Sequence, residues 1–340
     1  MKILIIGGTG NISTAITRYL MKQGKNDLFL YNWDNVDVEG TTTIFGDRTN
    51  YVDFEEKVAK LGKFDVVIDM ICYEPDDARC DVRCFGGKTK QFIFCSTVDT
   101  FTKPGSRYPI VEDDEKKPSI TFPYAYKKGL CENIFNDASQ RGDFQLTIIR
   151  PVATYNDTSY PLALIGSGDH LLKRIKEGKP IIVLGDGTSF WVSCHRDDTA
   201  RAFAGAAGNE KSYGKTYNAA GEEYITWEAY FKTVANVMGV KNIDFVHIPT
   251  DLLVKIAPTS AEWCGINFKY NNIFDNTSAK RDLGFKYTVT WEEGVKKMVD
   301  YHETRGDIEK AKDNVFYDLI VEKFRNMEDE LVYELSKFDK

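Results

Sequence analysis

Along the first half of the chain, apolar and polar positions repeat with two periods. Short apolar or β-rich runs at 3–6, 28–31, 43–45, 66–69, 92–95 and 146–149 have the length of buried strands. Helically spaced stretches lie between them at 12–23, 54–61, 75–84 and 124–140. This alternation predicts an α/β fold, a Rossmann-type doubly wound parallel sheet with helices on both faces. Ligands of such a sheet sit beyond the carboxyl ends of its strands. After Pro151 the pattern loosens. Helices are expected at 171–177, 198–207, 227–238, 277–283 and 291–302, and strands at 181–184 and 216–219. From Ile308 the chain turns highly charged, and its apolar residues from 315 to 338 fall on one helical stripe. The stripe reads as a terminal helix packed on its own domain, with a dimerisation helix, and hence a homodimer, as the alternative.

Composition narrows the field. The 340 residues are 42% hydrophobic and include 21 Phe and 18 Tyr, enough to fill a large core and to exclude a disordered chain. A net charge of −7 argues against nucleic acid or an anionic membrane as partner, since both require a basic face. The seven cysteines form an odd set without paired spacing, which suits a reducing, cytoplasmic setting. Cys80 and Cys84 can share a helix face, but neither a second cysteine pair nor the histidines at 170, 195, 247 and 302 complete a zinc set, so no metal is expected. The apolar run at the N-terminus is too short for a signal peptide, and no segment has the length of a membrane span.

The first strand runs directly into Gly7-Gly8-Thr9-Gly10-Asn11-Ile12-Ser13. Gly7 permits a sharp turn, Gly10 lets the backbone approach a pyrophosphate, and Ser13 keeps the helix close to the strand. The free N–H groups of the helix start then face the anion. Placed after a first strand and before a helix, this pattern reads as a dinucleotide site. About 20 residues further on, an acid normally takes the ribose hydroxyls. Here the strand ends Leu30-Tyr31-Asn32-Trp33-Asp34, so Asn32 and Asp34 are the candidates. No arginine follows directly to hold a 2′-phosphate. The cofactor is therefore read as NAD, with NADP the alternative.

Tyr124 and Lys128 stand at i and i+4 on one predicted helix face. A phenol with a pKa of about 10 is a poor base at neutral pH, and a nearby ammonium favours its ionised form. Tyr124 can then move a hydroxyl proton while a nicotinamide moves the hydride. Thr97, just past the strand at 92–95, is placed to bond the reacting oxygen.

Together these residues make the chain resemble the extended short-chain dehydrogenase/reductase family, in its NAD-dependent epimerase/dehydratase branch. The resemblance covers about residues 1–302. It rests on the glycine turn, Gly46-Asp47-Arg48, Cys95-Ser96-Thr97, Tyr124 and Lys128 with Glu132, Arg150-Pro151, His195-Arg-Asp-Asp198, and Asp275 through Leu283-Gly284. It implies a catalytic triad of Thr97, Tyr124 and Lys128. It also implies cofactor contacts from Gly7, Thr9, Gly10, Asn11, Ile12, Asn32, Asp47, Arg48 and Met70, besides Tyr124 and Lys128. Asp47 would meet the adenine, Arg48 holds the motif's hydrophobic position, and Met70 lines the cofactor groove. The implied domains are a dinucleotide-binding domain at 1–160, joined by late elements from about 181–220, a mainly substrate-binding region at 161–302, and a helical extension at 303–340.

The substrate end departs from the family. Trp191 stands where sugar-nucleotide epimerases carry an arginine four residues before His195, Ala153 replaces an asparagine, and the late arginine position falls near Gly265 with only Lys269 close by. Lys173, Arg174 and Lys269 are substitutes for the missing clamp, with a solvated surface as their competing role. Dehydratases follow the catalytic Thr with an Asp-Glu pair, whereas here Thr97 precedes Val98-Asp99. His195 is read as structural, and Phe190 and Trp191 as an aromatic wall or as core. The expected function is NAD(P)-dependent epimerisation or oxidoreduction of a secondary alcohol or ketone in a small sugar or sugar-nucleotide-like substrate, by Tyr-assisted hydride transfer. The alternatives are net reduction of a smaller apolar carbonyl, or a non-catalytic relative that senses the cofactor or associates with RNA.

Overall fold

Ile3, Leu4, Ile5 and Ile6 are fully buried because β1 (Lys2–Ile6) has a parallel neighbour on each side. In the computed structural model, which describes residues 1–339, those neighbours are β2 (Asp27–Asn32) and β4 (Phe64–Asp69). β3 (Thr42–Phe45) extends the sheet beyond β2, and β5 (Thr89–Cys95), β6 (Gln145–Pro151) and β11 (Lys215–Ala219) extend it beyond β4. The seven strands lie in the order β11-β6-β5-β4-β1-β2-β3, all parallel. The order reverses between β1 and β4, the kind of switch point beyond whose strand carboxyl ends ligands of such sheets sit.

The helices of this layer start where the sequence provides a start. α2 (Tyr51–Ala59) is capped by the Asn50 side chain, and α3 (Pro75–Phe85) opens with a Glu74/Asp77 capping box and Pro75 in its first turn. α4 (Pro123–Gln140) also opens on a proline. α1 (Asn11–Lys22) packs on α6 (Arg196–Ala206), and α6 on α9 (Thr277–Leu283). α2, α3 and α4 form a second packed row. Phe92 stands in contact with Phe85, Phe135 and Phe144, and Tyr31 meets Phe54 edge to face, which ties β2 and β5 to the helices.

Two compact units result. The first comprises Met1–Asn156, Val192–Glu222 and Ile273–Val289. It includes the sheet and a small parallel pair, β7 (Ala153–Tyr155) with β10 (Ser193–His195). The second comprises Asp157–Trp191, Glu223–Asn272 and the residues from Thr290 on. In it β8 (Ile181–Leu184) runs parallel to β13 (Phe245–Ile248), and β9 (Phe190–Trp191) pairs antiparallel with β12 (Ile225–Thr226). Its helices are α5 (Gly168–Lys176), α7 (Trp227–Val237), α8 (Thr250–Ile256), α10 (Trp291–Thr304), α11 (Asp307–Lys310) and α12 (Val315–Leu335).

This division corrects two expectations. The strand at 181–184 does not join the main sheet, because its four apolar residues find a partner strand in Phe245–Ile248. Nor is 303–340 a separate extension, since α11 and α12 belong to the second unit. The Tyr317 hydroxyl accepts the N–H of Ile182 at 2.6 Å, and Asp318 pairs with the buried Arg174 at 2.5 Å. The apolar stripe of α12 is divided. Tyr317, Ile320, Val321 and Phe324 are buried, while Met327, Leu331, Val332 and Leu335 continue the same face in solvent.

Candidate active site

The glycine turn is built as an anion cradle. Gly7 has φ +80°, and a Cβ there would stand 2.6 Å from the Ile71 side chain. The Ser13 hydroxyl donates to the Gly7 carbonyl and ties the helix start to the turn. Gly10 is the N-cap of α1, with no side-chain cap and no acidic residue in the first turn. The first N–H groups of the helix therefore have neither an intrahelical acceptor nor a protein anion to satisfy them. At the end of β2, the Asn32 amide oxygen accepts the Gly8 N–H at 2.8 Å, and its buried Nδ2 has no partner among the described residues. A buried unpaired donor beside an anion cradle fits the ribose and pyrophosphate of a dinucleotide.

The other expected contacts divide into available and committed groups. Asp47 is exposed, and hydrogen bonds from Thr49 hold its carboxyl below the usual range. Met70 directly follows β4, its N–H bonded to the Ile6 carbonyl. Asn11 spends its side chain on Thr154 and Asn156. The Arg48 guanidinium is buried among Asp69, Asp77 and Asp81, so only its backbone is left to offer a ligand. Three carboxylates drawn from β4 and α3 surround this one cation. That grouping was invisible in the sequence, where Arg48 merely occupied a motif position.

The catalytic candidates meet on this same unit. The Tyr124 hydroxyl is hydrogen-bonded to the Thr97 side chain, and burial, with Asp99 next in weight, pushes its phenol well above the ordinary value. Thr97 Oγ1 also accepts the Asp99 N–H at 3.2 Å, an ST-type turn that fixes the loop after β5. Lys128 is 2% exposed; its ammonium donates to the Cys95 carbonyl at 2.8 Å and stands over the rings of Tyr73 and Phe94 at 4.6 and 4.9 Å. Ser96 donates to Glu132 at 2.5 Å, and Arg150 grips the same carboxylate through Nε and Nη2 at 2.8 and 2.7 Å. β5, α4 and β6 are thus locked together directly behind Thr97.

Two neighbours were missed in the sequence. Tyr73, its own phenol pushed up to about 12 chiefly by burial, covers Lys128. Lys103 pairs with Asp99 at 2.8 Å, both nearly buried. An acid two residues after Thr97 and a lysine four beyond it was the available signal. His195 caps α6 by accepting the Asp197 N–H, a structural role as expected. Glu55 joins Cys80 and Cys84 with ligand atoms within 4.8 Å of one another, a neighbour the spacing did not reveal; its Oε1 is held by Arg83.

In the second unit Trp191 is buried against Trp227 and Phe268, so it is core. The proposed clamp substitutes are largely occupied. Arg174 is buried against Asp318 and Tyr317, and Lys173 holds Asp313 and the Ala311 carbonyl. Lys269 instead lines a cavity of about 530 Å³ with Thr188, Ser189, Phe190, Thr226 and Asn271.

A seven-stranded parallel sheet with a glycine turn after its first strand is a fold of the dinucleotide-binding type, and Thr97, Tyr124 and Lys128 lie on the same unit. Residues 79–220 match the model of the NAD dependent epimerase/dehydratase family. The chain is 27% identical over 340 residues to the chloroplast stem-loop binding protein of 41 kDa b of Arabidopsis thaliana, covering 95% of this chain and 84% of that one. It is 23% identical to the 2′-dehydrokanamycin reductase of Streptomyces kanamyceticus, covering 81% and 77%. Its fold is that of the UDP-glucuronic acid 4-epimerase of Bacillus cereus, solved with UDP-glucuronic acid and NAD (TM-score 0.70, 18% identity, 90% and 100% covered).

Proposed function

We propose that this chain is an NAD-dependent epimerase or oxidoreductase acting on a secondary alcohol or ketone of a sugar or sugar-nucleotide-like substrate. One observation carries the reading: Tyr124 and Thr97 share a hydrogen bond, with the Lys128 ammonium fixed two residues away at Cys95. Thr97 holds the reacting oxygen, and Tyr124 exchanges the hydroxyl proton with it. Burial and the Asp99 charge oppose the phenolate, and the Lys128 ammonium, held at the Cys95 carbonyl, is the cation proposed to offset them. Gly7 to Ile12, Asn32 and Asp47 would hold NAD, which when bound would supply the hydride chemistry. The hydroxyl-rich cavity of the second unit, with one ammonium and the Phe190 ring, supports a sugar-like substrate. The similarity to a reductase and the fold of an epimerase point the same way.

The test is Tyr124→Phe, assayed with UDP-glucuronic acid, UDP-glucose and dTDP-glucose while NAD binding is measured separately. Turnover falls by about 10² or more and NAD binding is kept; full turnover in the variant sinks the mechanism. Tightly held NAD in the purified protein favours epimerisation, and net NADH consumption favours simple reduction.

The stem-loop binding relative motivates a second reading, an RNA-associated protein on the same fold. The net charge of −7 weighs against it. Strong, salt-dependent binding of stem-loop RNA together with no turnover would establish it.

A further inference from the structure

Metal-ligating side chains gather twice among the described residues, each time as three donors with ligand atoms within 4.8 Å of one another. The first set, Asp69, Cys72 and Asp81, is wholly buried and already surrounds a cation, since the Arg48 guanidinium donates to both aspartates. Arg48 is itself buried, so this set has its counter-charge fixed in place. The second set, Glu55, Cys80 and Cys84, is built differently.

Cys80 and Cys84 stand one helical turn apart on α3, so their side chains share a face, and the two thiols are hydrogen-bonded to each other. Glu55 comes from α2, which packs against α3, and its Oε1 accepts the Cys80 thiol at 3.4 Å. Both cysteines are buried, whereas the Glu55 side chain is 38% exposed, so the cluster opens to solvent on its carboxylate side. Arg83 donates to the same Oε1 through Nε and Nη2 at 3.0 and 2.7 Å. Unlike Arg48, it is 55% exposed, and its guanidinium is free to shift as the carboxylate takes a new partner.

The chemistry of these donors selects the ion. Thiolates are poor ligands for calcium and magnesium, and a carboxylate suits zinc better than copper(I). Two thiolates and a carboxylate fill three corners of a zinc tetrahedron. Charge closes as well. The three ligands bring three negative charges, zinc brings two positive ones, and Arg83 beside the carboxylate supplies the third.

We infer that Glu55, Cys80 and Cys84 form a binding site for one zinc ion, with water at the fourth corner and Arg83 hydrogen-bonded to the ligating carboxylate. Binding releases the two thiol protons, so the affinity rises with pH. The ion fastens α2 to α3 and stabilises the folded chain. None of the three ligands belongs to the glycine turn or to the group of Thr97, Tyr124 and Lys128, so failure of the inference leaves the proposed reaction untouched.

The experiment takes the full chain, reduced and stripped with a chelator, and titrates it with zinc in competition with a chromophoric chelator. Cadmium serves as a spectroscopic probe, because its bonds to thiolates give a charge-transfer band in the ultraviolet. The wild-type chain binds one equivalent of zinc with a Kd on the order of 1 μM, weaker than a closed four-ligand site because one corner is water. Saturating zinc raises its melting temperature, and saturating cadmium gives the band of two thiolates. Cys80→Ser and Cys84→Ser each weaken zinc by about 100-fold and halve the band. Glu55→Gln weakens zinc by about tenfold and keeps the whole band. Thermal melting shows which variants are folded, and the wild-type titration decides even where one is not. No saturable zinc binding below about 100 μM, no cadmium–thiolate band, or an unchanged zinc affinity in the folded cysteine variants overturns the inference.

Discussion

Tyr124 is the residue on which the proposed chemistry turns. Burial and the Asp99 charge raise its phenol above the ordinary value of about 10, and the hydrogen bond from Thr97 only partly offsets them. The sign for catalysis follows. Oxidation needs the phenolate, so its rate rises with pH through neutrality and beyond, in step with the ionised fraction. Reduction needs the phenol as proton donor, so its rate is flat through neutrality and falls only in the alkaline range. Lys128→Met removes the charge that favours the phenolate, and the oxidation limb moves to still higher pH. Rate profiles in both directions check this, and an oxidation limb near pH 7 in the Lys128→Met variant would contradict it. At this scale spacing carries the local reading: Tyr124 and Lys128 stand at i and i+4 on α4. It was silent where packing between distant segments decides. Tyr73 over Lys128 and the three aspartates around Arg48 come from separate elements, and no local pattern announces them.

At the scale of elements, the loop after β5 is held by a buried link. Glu132 on α4 accepts from Ser96 at the end of β5 and from Arg150 on β6. Arg150 is fully buried, and Glu132 is the carboxylate its guanidinium grips. Glu132→Gln leaves the side chain's size unchanged and removes its charge, which costs about 3–5 kcal/mol, the range for a buried pair broken on one side. Adding Arg150→Met, which removes the stranded charge, recovers part of the loss. Urea titrations of the three proteins measure both effects, and a loss below about 1 kcal/mol for Glu132→Gln would show the pair to be solvated. Strand and helix positions were legible because each run has a clear period and its own cap or breaker, such as Pro75, Pro123 and Thr226. Sheet membership was less so. The strand at 181–184 is as apolar as a main-sheet strand, and its pairing was decided by Phe245–Ile248, more than sixty residues away.

At the scale of the molecule, the division of α12 makes a stability prediction. The helix is anchored by Tyr317, Ile320, Val321 and Phe324, with Arg174 beneath Tyr317 at 4.0 Å and Arg325 paired with Asp244 at 2.5 Å. Beyond Arg325 the same apolar face meets solvent: Met327, Leu331 and Val332 are 47%, 55% and 63% exposed. The sequence pattern runs unbroken from 315 to 338, since periodicity reports which residues share a face and not how far a partner surface extends. Phe324→Ala therefore removes buried area and opens a cavity, at a cost of about 3–5 kcal/mol. Leu331→Ala removes a side chain that is already half in water and stays within about 0.5 kcal/mol. Urea denaturation of both variants, repeated over a range of protein concentrations, separates the two cases. A Leu331→Ala loss comparable to that of Phe324→Ala would mean that the distal face is covered in solution. A loss that grows with protein concentration would mean that the cover is a second copy of the chain.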